Sequence, residues 1–428
     1  TFLMDFSLII ALIIFIVTFY FIITEKIPRS VAAVIGGAAV VFFRIIDEHE
    51  ALHAIGINLE IIFLLMGLMI IVNIMSETGI FQWVAIKMAQ AARGEPIKIM
   101  LLLGIASAIA SAFLDNVTTI LLIFPISLLI AEELKLDSLP FLLTEIFAVN
   151  LGGAATLVGD PPNLIIGTKA GFGFNDFLIN MGPLVILNMV VFLVTMIFFF
   201  RKRLVVSRVL KAKIMEMDAD RVIKDRVLLK KSLLVFSLVI IGFITNVVTH
   251  FGLAVISISG AIILVLITKK DPEHIYSQIE WTTLFFFAGL FIIVDALAAT
   301  GIISSAGQEI VKLTGGDIKY TAIFTVLSST ALAPLLGAMP YTISFAKVLG
   351  ELTTHLSGNT DPLWWALSMG ACFGGNMTLI GSAANVVGAS MAEKAGKPIS
   401  FMKFFRYGIV VTLQSTILSL LYLTVRYF

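Results

Sequence analysis

The feature that most constrains this chain is a succession of apolar runs, each near the length a helix needs to cross a bilayer. Residues 6–23 form the first, and 30–43, 59–80, 98–114, 117–131, 139–167 and 183–200 follow before any long polar stretch. About 20 apolar residues span the hydrocarbon as a helix, and such a segment must satisfy its own backbone groups. A membrane β-barrel would show short alternating segments instead. Composition agrees: 59% of the 428 residues are hydrophobic and 13% are charged, where a soluble domain carries about 25% charged residues. The expected fold is an all-α polytopic membrane protein. Residues 6–23 are too long for a signal peptide and lack its basic flank and small-residue cleavage site, so they read as the first span.

Residues 201–231 are the only long polar stretch, with 11 Lys or Arg against 4 Asp or Glu. They read as a solvated linker carrying a short amphipathic helix, placed in the cytoplasm by its basic excess. The two halves around it repeat. "GLMIIVNIMSETGI" starts at Gly67 and "GLFIIVDALAATGI" at Gly289, 222 residues later, with eight of fourteen positions identical. "GGAATLVGDPPN" at Gly152 and "GGNMTLIGSAAN" at Gly374 keep the same offset, with six of twelve identical. Internal repeats are common in transporters.

The runs 98–114 and 117–131 flank Asp115 with no room for a loop. They read as a re-entrant hairpin that enters and leaves on one side. Five crossings then remain in the first half, and an odd count inverts the second half. Lys26, Arg29, Lys87, Arg93 and Lys98 fall on the linker side, as do Lys269, Lys270, Lys394, Lys397, Lys403 and Arg406. The acidic segment 47–50 falls opposite, and both termini are expected outside. The expected organisation is a first repeat over 1–200, with hairpin 98–131 and broken helix 139–167. The linker 201–231 follows, then a second repeat over 232–428, with hairpin 318–350 and broken helix 363–390.

The chemistry lies in the interruptions. Gly152, Gly153, Gly159, Asp160, Pro161 and Pro162 stand where a span should be unbroken. Proline removes N–H donors and breaks the helix, and non-helical backbone at depth is tolerated only against protein or a wet cavity. The freed carbonyls and helix termini can coordinate an ion. Asp115 lies at equal depth, where a carboxylate costs about 2.5–3.5 kcal/mol on insertion scales. Asp115 and Asp160 are the candidates for binding Na⁺ or a proton, or for capping a half-helix. The Gly-rich stretch lacks the Lys-Ser/Thr of a phosphate loop. The five histidines fall in segments read as loops without ligand spacing, so zinc is not expected. Intramembrane hydrolysis lacks a Ser/His/Asp arrangement, and no enzyme is expected. A net charge of +1 gives no case for nucleic acid.

The stretches "SETGIFQWVAIK", "SAFLDNVTTILL", "GGAATLVGDPPN", "IEWTTLFFFAGLF", "ACFGGNMTLIGSAANVV" and "SFMKFFRYG" resemble the ArsB/NhaD permease family of the ion transporter superfamily. They are most similar to the branch containing the melanosomal P (pink-eyed dilution) protein. The resemblance implies a homodimeric, elevator-type secondary transporter in the plasma membrane. Its ion or oxyanion cargo would be of the arsenite/antimonite or Na⁺/H⁺ kind, with organic anions or a channel as alternatives. No cofactor is implied beyond a bound Na⁺. Carried over by position, the site comprises Asp115, Asn116, Thr118 and Thr119, with Gly153, Thr156, Gly159, Asp160 and Asn163. The second half adds Pro340, Thr342, Thr378, Gly381, Ser382 and Asn385. The branch repeats an Asp-Asn pair at the second tip, but here Gly337 and Ala338 stand at the 222 offset. Lys347, on the same arm, is read in one of two ways. Its ammonium substitutes for a bound cation, or it snorkels or pairs with Glu351 at i,i+4.

Overall fold

The computed structural model describes residues 2–24 and 26–428, with side chains from residue 7 onward. The first half contains α1 (Phe2–Thr24), α2 (Arg29–Phe42), α3 (Glu48–Gly56), α4 (Leu59–Ser76), α5 (Ile80–Ala91) and α6 (Pro96–Phe113). It continues through α7 (Asn116–Glu133), α8 (Leu139–Gly153), α9 (Pro161–Ala170), α10 (Phe174–Asn180) and α11 (Gly182–Phe200). The linker holds α12 (Arg208–Glu216). The second half contains α13 (Arg226–Thr249), α14 (Leu253–Thr268), α15 (Pro272–Ser277), α16 (Trp281–Ala299) and α17 (Ile302–Thr314). It ends with α18 (Ile318–Leu336), α19 (Ala338–Thr354), α20 (Asp361–Gly374), α21 (Ala383–Lys394) and α22 (Phe401–Tyr427). No strand occurs among the described residues, and nine of their helices are long and apolar enough to cross a membrane. The molecule is a helical, polytopic membrane protein.

An offset of 222 residues carries α4 onto α16, α6 onto α18, α7 onto α19, α8 onto α20, α9 onto α21 and α11 onto α22, with small shifts at the ends. The repeat read from two short motifs therefore extends to the order of elements. Proline sits in the first turn of α6, α8, α9, α11, α15 and α20. A missing N–H loses no intrahelical bond there. Leu114 and Asp115 alone separate α6 from α7, and Gly337 alone separates α18 from α19.

Two packing groups result. α8 is buried along its whole length, and α20 is buried from Pro362 to Gly374. The hairpin arms α6 and α18 lie against them. Elsewhere α2 packs on α16, and α4 packs on α14. At Gly289 of α16 an added Cβ would strike the Ala33 backbone of α2, so glycine sets how closely these helices approach. Small residues at such contacts let packing stand in for the hydrophobic effect, which is weak between helices in lipid.

Contacts also order the ends of the helices. α12 touches both arms of the first hairpin near its mouth. Lys211 Nζ donates to Glu95 Oε1 at 2.6 Å, and Lys213 lies 3.7 Å from Glu133. The Lys211 hydrogen bond holds the Glu95 carboxyl below its ordinary range. α11 and its repeat mate α22 run antiparallel. Arg426 Nη2 and Tyr427 Oη donate to Asn180 Oδ1 at one end, at 3.0 and 2.8 Å. Phe200 and Tyr407 meet at the other end, with ring centroids 5.1 Å apart. The mouth of the second hairpin lies near the first of these ends, where Lys319 stands over the Phe428 ring.

Two expectations are corrected. His49 and His53 lie within α3 and His274 within α15, rather than in loops. A capping box between Asp47 and Glu50 starts α3, and the Asp271 side chain with Pro272 starts α15. Lys347 does not pair with Glu351. It forms an ion pair with Asp295 of α16, bridging the second hairpin and the neighbouring packing group.

Candidate functional site

A cavity of about 320 Å³ opens where the interrupted elements meet. Its wall includes both hairpin tips, at Asp115–Val117 and Gly337–Pro340, and both breaks, at Asp160–Pro162 and Gly381–Ala384. The first turns of α7, α9, α19 and α21 therefore face one space. All four present the positive end of a helix dipole, and α7, α19 and α21 also bring backbone N–H groups without intrahelical acceptors, whereas α9 opens on Pro161 and Pro162 and its Asn163 N donates to Asp160 O at 2.9 Å. Two of these ends carry acids. The Asp115 carboxylate caps α7, accepting from Thr118 N at 2.8 Å and from the Thr118 hydroxyl. Asp160 precedes α9 and makes no cap hydrogen bond. It is 7% exposed, with Asn116 and Cys372 beside it. No side chain caps α19 or α21.

The remaining wall comes from α1, α2, α4 and α16. Glu280 precedes α16 and accepts from Thr283 Oγ1 at 3.2 Å. It lies within electrostatic reach of Asp115. Arg29, at the start of α2, also lines the space. Three carboxylates thus share the cavity with one guanidinium. They are spread over its wall, and among the described residues no three His, Cys, Asp or Glu side chains gather as a metal cluster. A cation entering among separated like charges would relieve their repulsion.

Beneath the wall, mated hydrogen bonds hold each break. Thr156 Oγ1 donates to Ala112 O, and its mate Thr378 Oγ1 donates to Pro334 O at 2.5 Å. Asn163 Nδ2 donates to Thr156 O at 2.9 Å, and Asn385 Nδ2 donates to Thr378 O at 2.8 Å. Both amides are fully buried. Their nitrogens satisfy carbonyls that the broken helices leave open, as buried backbone requires. The tips are tied down similarly. The Asn116 amide sits beside Ser111 and Asn150. With its nitrogen toward the Val149 and Gly159 carbonyls, it donates to both at 3.1 Å. At the second tip, Ala338 N donates to Gly381 O at 3.0 Å. A backbone N–H there does the work of the Asn116 amide. Gly337 has φ +88°, a backbone that glycine adopts freely and an Asp would hold only with strain, so the second tip differs from the first in backbone as well as in charge.

The residues proposed from sequence divide accordingly. Asp115, Asn116, Asp160, Pro340, Gly381 and Ser382 line the cavity. Thr118 bonds the Asp115 carboxylate, Thr119 donates to Asp115 O at 2.9 Å, and Thr342 donates to Ala338 O at 2.7 Å. Gly153, Thr156, Gly159, Asn163, Thr378 and Asn385 lie behind the wall, within the breaks or holding them. Sequence reasoning missed Glu280, which stands in a quoted motif, and Arg29, which it counted only as a loop charge.

It also missed Asn150, which joins the two halves. Asn150 Nδ2 donates to Asn376 Oδ1 and Asn385 Oδ1, both at 2.8 Å, and its oxygen accepts from Ser382 Oγ at 2.9 Å. Its signal was a lone amide inside an apolar span. Glu145, five residues earlier on α8, is fully buried with the Ser127 hydroxyl as hydrogen-bond partner, and its Oε2 has no partner.

Comparison with known proteins finds relatives among membrane proteins and transporters. The chain is 43% identical to a 46 kDa membrane protein of Mycobacterium leprae (strain TN), over 98% of this chain and 99% of the relative. It is 41% identical to an uncharacterized transporter of Mycobacterium tuberculosis (strain ATCC 25618 / H37Rv), over 98% and 99%. The P protein of Sus scrofa is 33% identical over 98% of this chain and 59% of its own length. The relation to the P protein that the motifs suggested is thereby shown. The citrate transporter family model, CitMHS, matches residues 19–370. The chain belongs to the CitMHS family of membrane transporters.

Proposed function

We propose that the protein is a secondary active transporter that moves a small ion or oxyanion coupled to H⁺ or Na⁺. The observation that carries this reading is the cavity shared by two hairpin tips and two helix breaks, with Asp115, Asp160 and Glu280 on its wall. An inert bundle gains nothing from broken helices at depth, whereas a cargo site needs their free backbone groups. Asp115 and Asp160 take the coupling cation, and Asn116, Ser382, Pro340 and Gly381 face the cargo. Thr118, Thr119, Thr156, Asn163, Thr342, Thr378 and Asn385 hold the tips and breaks in place. The cargo is of the arsenite/antimonite kind, or Na⁺ exchanged for H⁺.

Two inverted repeats generate the site. The antiparallel course of α11 and α22 favours inversion, as do the hairpin mouths at opposite ends of the bundle. The hairpin and break of each half then move together past α2, α4, α14 and α16 in an elevator motion. A homodimer holds the latter group still in the plasma membrane, with the linker 201–231 cytoplasmic. A second reading, transport of a citrate-like organic anion, is favoured by the family match. It is also favoured by Arg29 and by the uncapped N-termini of α19 and α21, which suit an anion.

Reconstitution into liposomes tests both readings and a channel alternative. A pH or Na⁺ gradient is imposed, and movement of arsenite, Na⁺ and citrate is measured. Uphill accumulation of one of them supports the proposal and names the cargo. Flux that only follows the electrochemical gradient would mark a channel and end it.

A further inference from the structure

A second cavity, of about 240 Å³, lies at the end of the bundle remote from the linker. α13 leaves the linker at Arg226 and ends at Thr249, so the turn to α14 that borders this cavity is on the far side. Glu60, Ile61 and Leu64 of α4 form one wall, Asn246 and Gly252 close the end, and α9 forms the opposite wall through Leu164 to Thr168. The 222 offset carries Glu60, Ile61 and Leu64 onto Thr282, Thr283 and Phe286, and Gly252 onto Ser30. All four of these mates line the first cavity. The same repeated turn therefore borders a cavity on each side. The tips and breaks stand against it on the linker side, and the body of α9 stands against it on the far side.

The polar atoms that face this space suit one kind of ligand. Asn246 Oδ1 is buried without a hydrogen-bond partner. It points toward Gly173, a residue of the wall, and lies 3.7 Å from where a Cβ on that glycine would be. Asp176 Oδ2 stands behind the wall, already accepting from Gly173 N at 2.7 Å, and the Glu60 carboxylate reaches toward Gly252 in the same cavity. No Lys, Arg or His is in the wall. An unpaired buried acceptor costs free energy until a donor or cation meets it. An amide oxygen and the Glu60 carboxylate, with no cationic side chain in the wall, select a hard cation over an anion.

We propose that this second cavity is a cation-binding station on the far face, with Glu60 and Asn246 Oδ1 as ligands for a monovalent ion such as Na⁺. Its part in coupling rests on the transporter reading, but the binding site itself does not.

The test uses the full chain carrying Thr168→Cys, since the native Cys372 is buried and Thr168 is an exposed residue of the wall. Sealed vesicles with the far face outward are treated with a membrane-impermeant maleimide in NaCl or in choline chloride. Na⁺ should slow labelling about threefold or more, as it would with a ligand at twice its dissociation constant or above. Adding Glu60→Gln or Asn246→Leu should abolish this protection. Equal labelling in both salts, or protection that survives both substitutions, would overturn the station.

A second measurement covers any variant that fails to reach the membrane. Glu60→Gln should raise the Na⁺ concentration needed for half-maximal ²²Na⁺ flux from the far face and leave the linker-face value unchanged. A shift equal at both faces would also overturn the proposal. Lost ²²Na⁺ and citrate flux in the unmodified chain, with protection intact, would instead contradict the transporter reading alone.

Discussion

Asn150 is the amide on which both halves converge, and its removal gives the most demanding test of the architecture. Asn150→Ala deletes the donor to Asn376 Oδ1 and Asn385 Oδ1, both on fully buried side chains. Ser382, which borders the cavity, can turn to water for its lost acceptor. Two orphaned buried acceptors at about 1–3 kcal/mol each give roughly 2–6 kcal/mol of lost stability. Asn150→Asp keeps the volume but, once ionised, sets a carboxylate against two acceptor oxygens. It adds the cost of a buried charge with no cation in contact. The expected order of apparent melting temperature in detergent, at alkaline pH, is wild type above Asn150→Ala above Asn150→Asp. A fluorescence melt of the purified protein measures it. If Asn150→Asp melts with the wild type, or Asn150→Ala causes no loss, the network does not join the halves as described.

Other expectations follow from single contacts. Gly337→Ala forces a side chain into φ +88° and should cost about 1–3 kcal/mol, seen as a lower melting temperature. Gly337→Asp should cost at least as much and create no new Na⁺ dependence of flux. Glu145→Gln should melt like the wild type, because Ser127 offers one hydrogen bond and no cation faces that carboxyl. Glu145→Lys should fail to accumulate in the membrane. A double-mutant cycle of Lys347→Met and Asp295→Asn should give a coupling energy above about 0.5 kcal/mol, and additive effects would deny that the pair matters. The Glu95 carboxyl is held below its ordinary pKa of 4.5. Its contact with Lys211 therefore contributes above that pH and is lost as pH falls through the lowered value. Hydrogen exchange in α12 should rise only under such acid, and release at neutral pH would contradict the assignment.

Much of this was legible in the sequence because breaks in a membrane span leave marks. Asp160-Pro161-Pro162 and the short connection at Asp115 can be seen without coordinates, since nothing else explains them at that depth. The 222 offset located the second tip and break even where Asp and Asn had become Gly337 and Ala338. What stayed hidden was of two kinds. Arg29 and Glu280 sit at the ends of spans, where charges are ordinary, and only packing of α2 against α16 turns them toward a cavity. Asn150, Glu145 and Asp295 lie within continuous helices, and their apolar neighbours give no local hint of what faces them. The mates of Asn150 and Glu145 are Cys372 and Leu367, so the repeat gave no warning either. For Lys347 the one partner visible in sequence was Glu351, four residues on, whereas Asp295 is near it in space.

The central claim is that the two halves present the same unit to opposite sides of the membrane. Asp137 and Asn359 are exposed mates just before α8 and α20. Each side chain accepts from the backbone N–H two residues on, at 3.1 and 3.0 Å. Single cysteines at these two positions, probed with an impermeant maleimide in sealed vesicles of known orientation, test the claim most directly. Labelling of Asp137→Cys only from the linker face and of Asn359→Cys only from the far face is the expected result. Labelling of both from one face would contradict it.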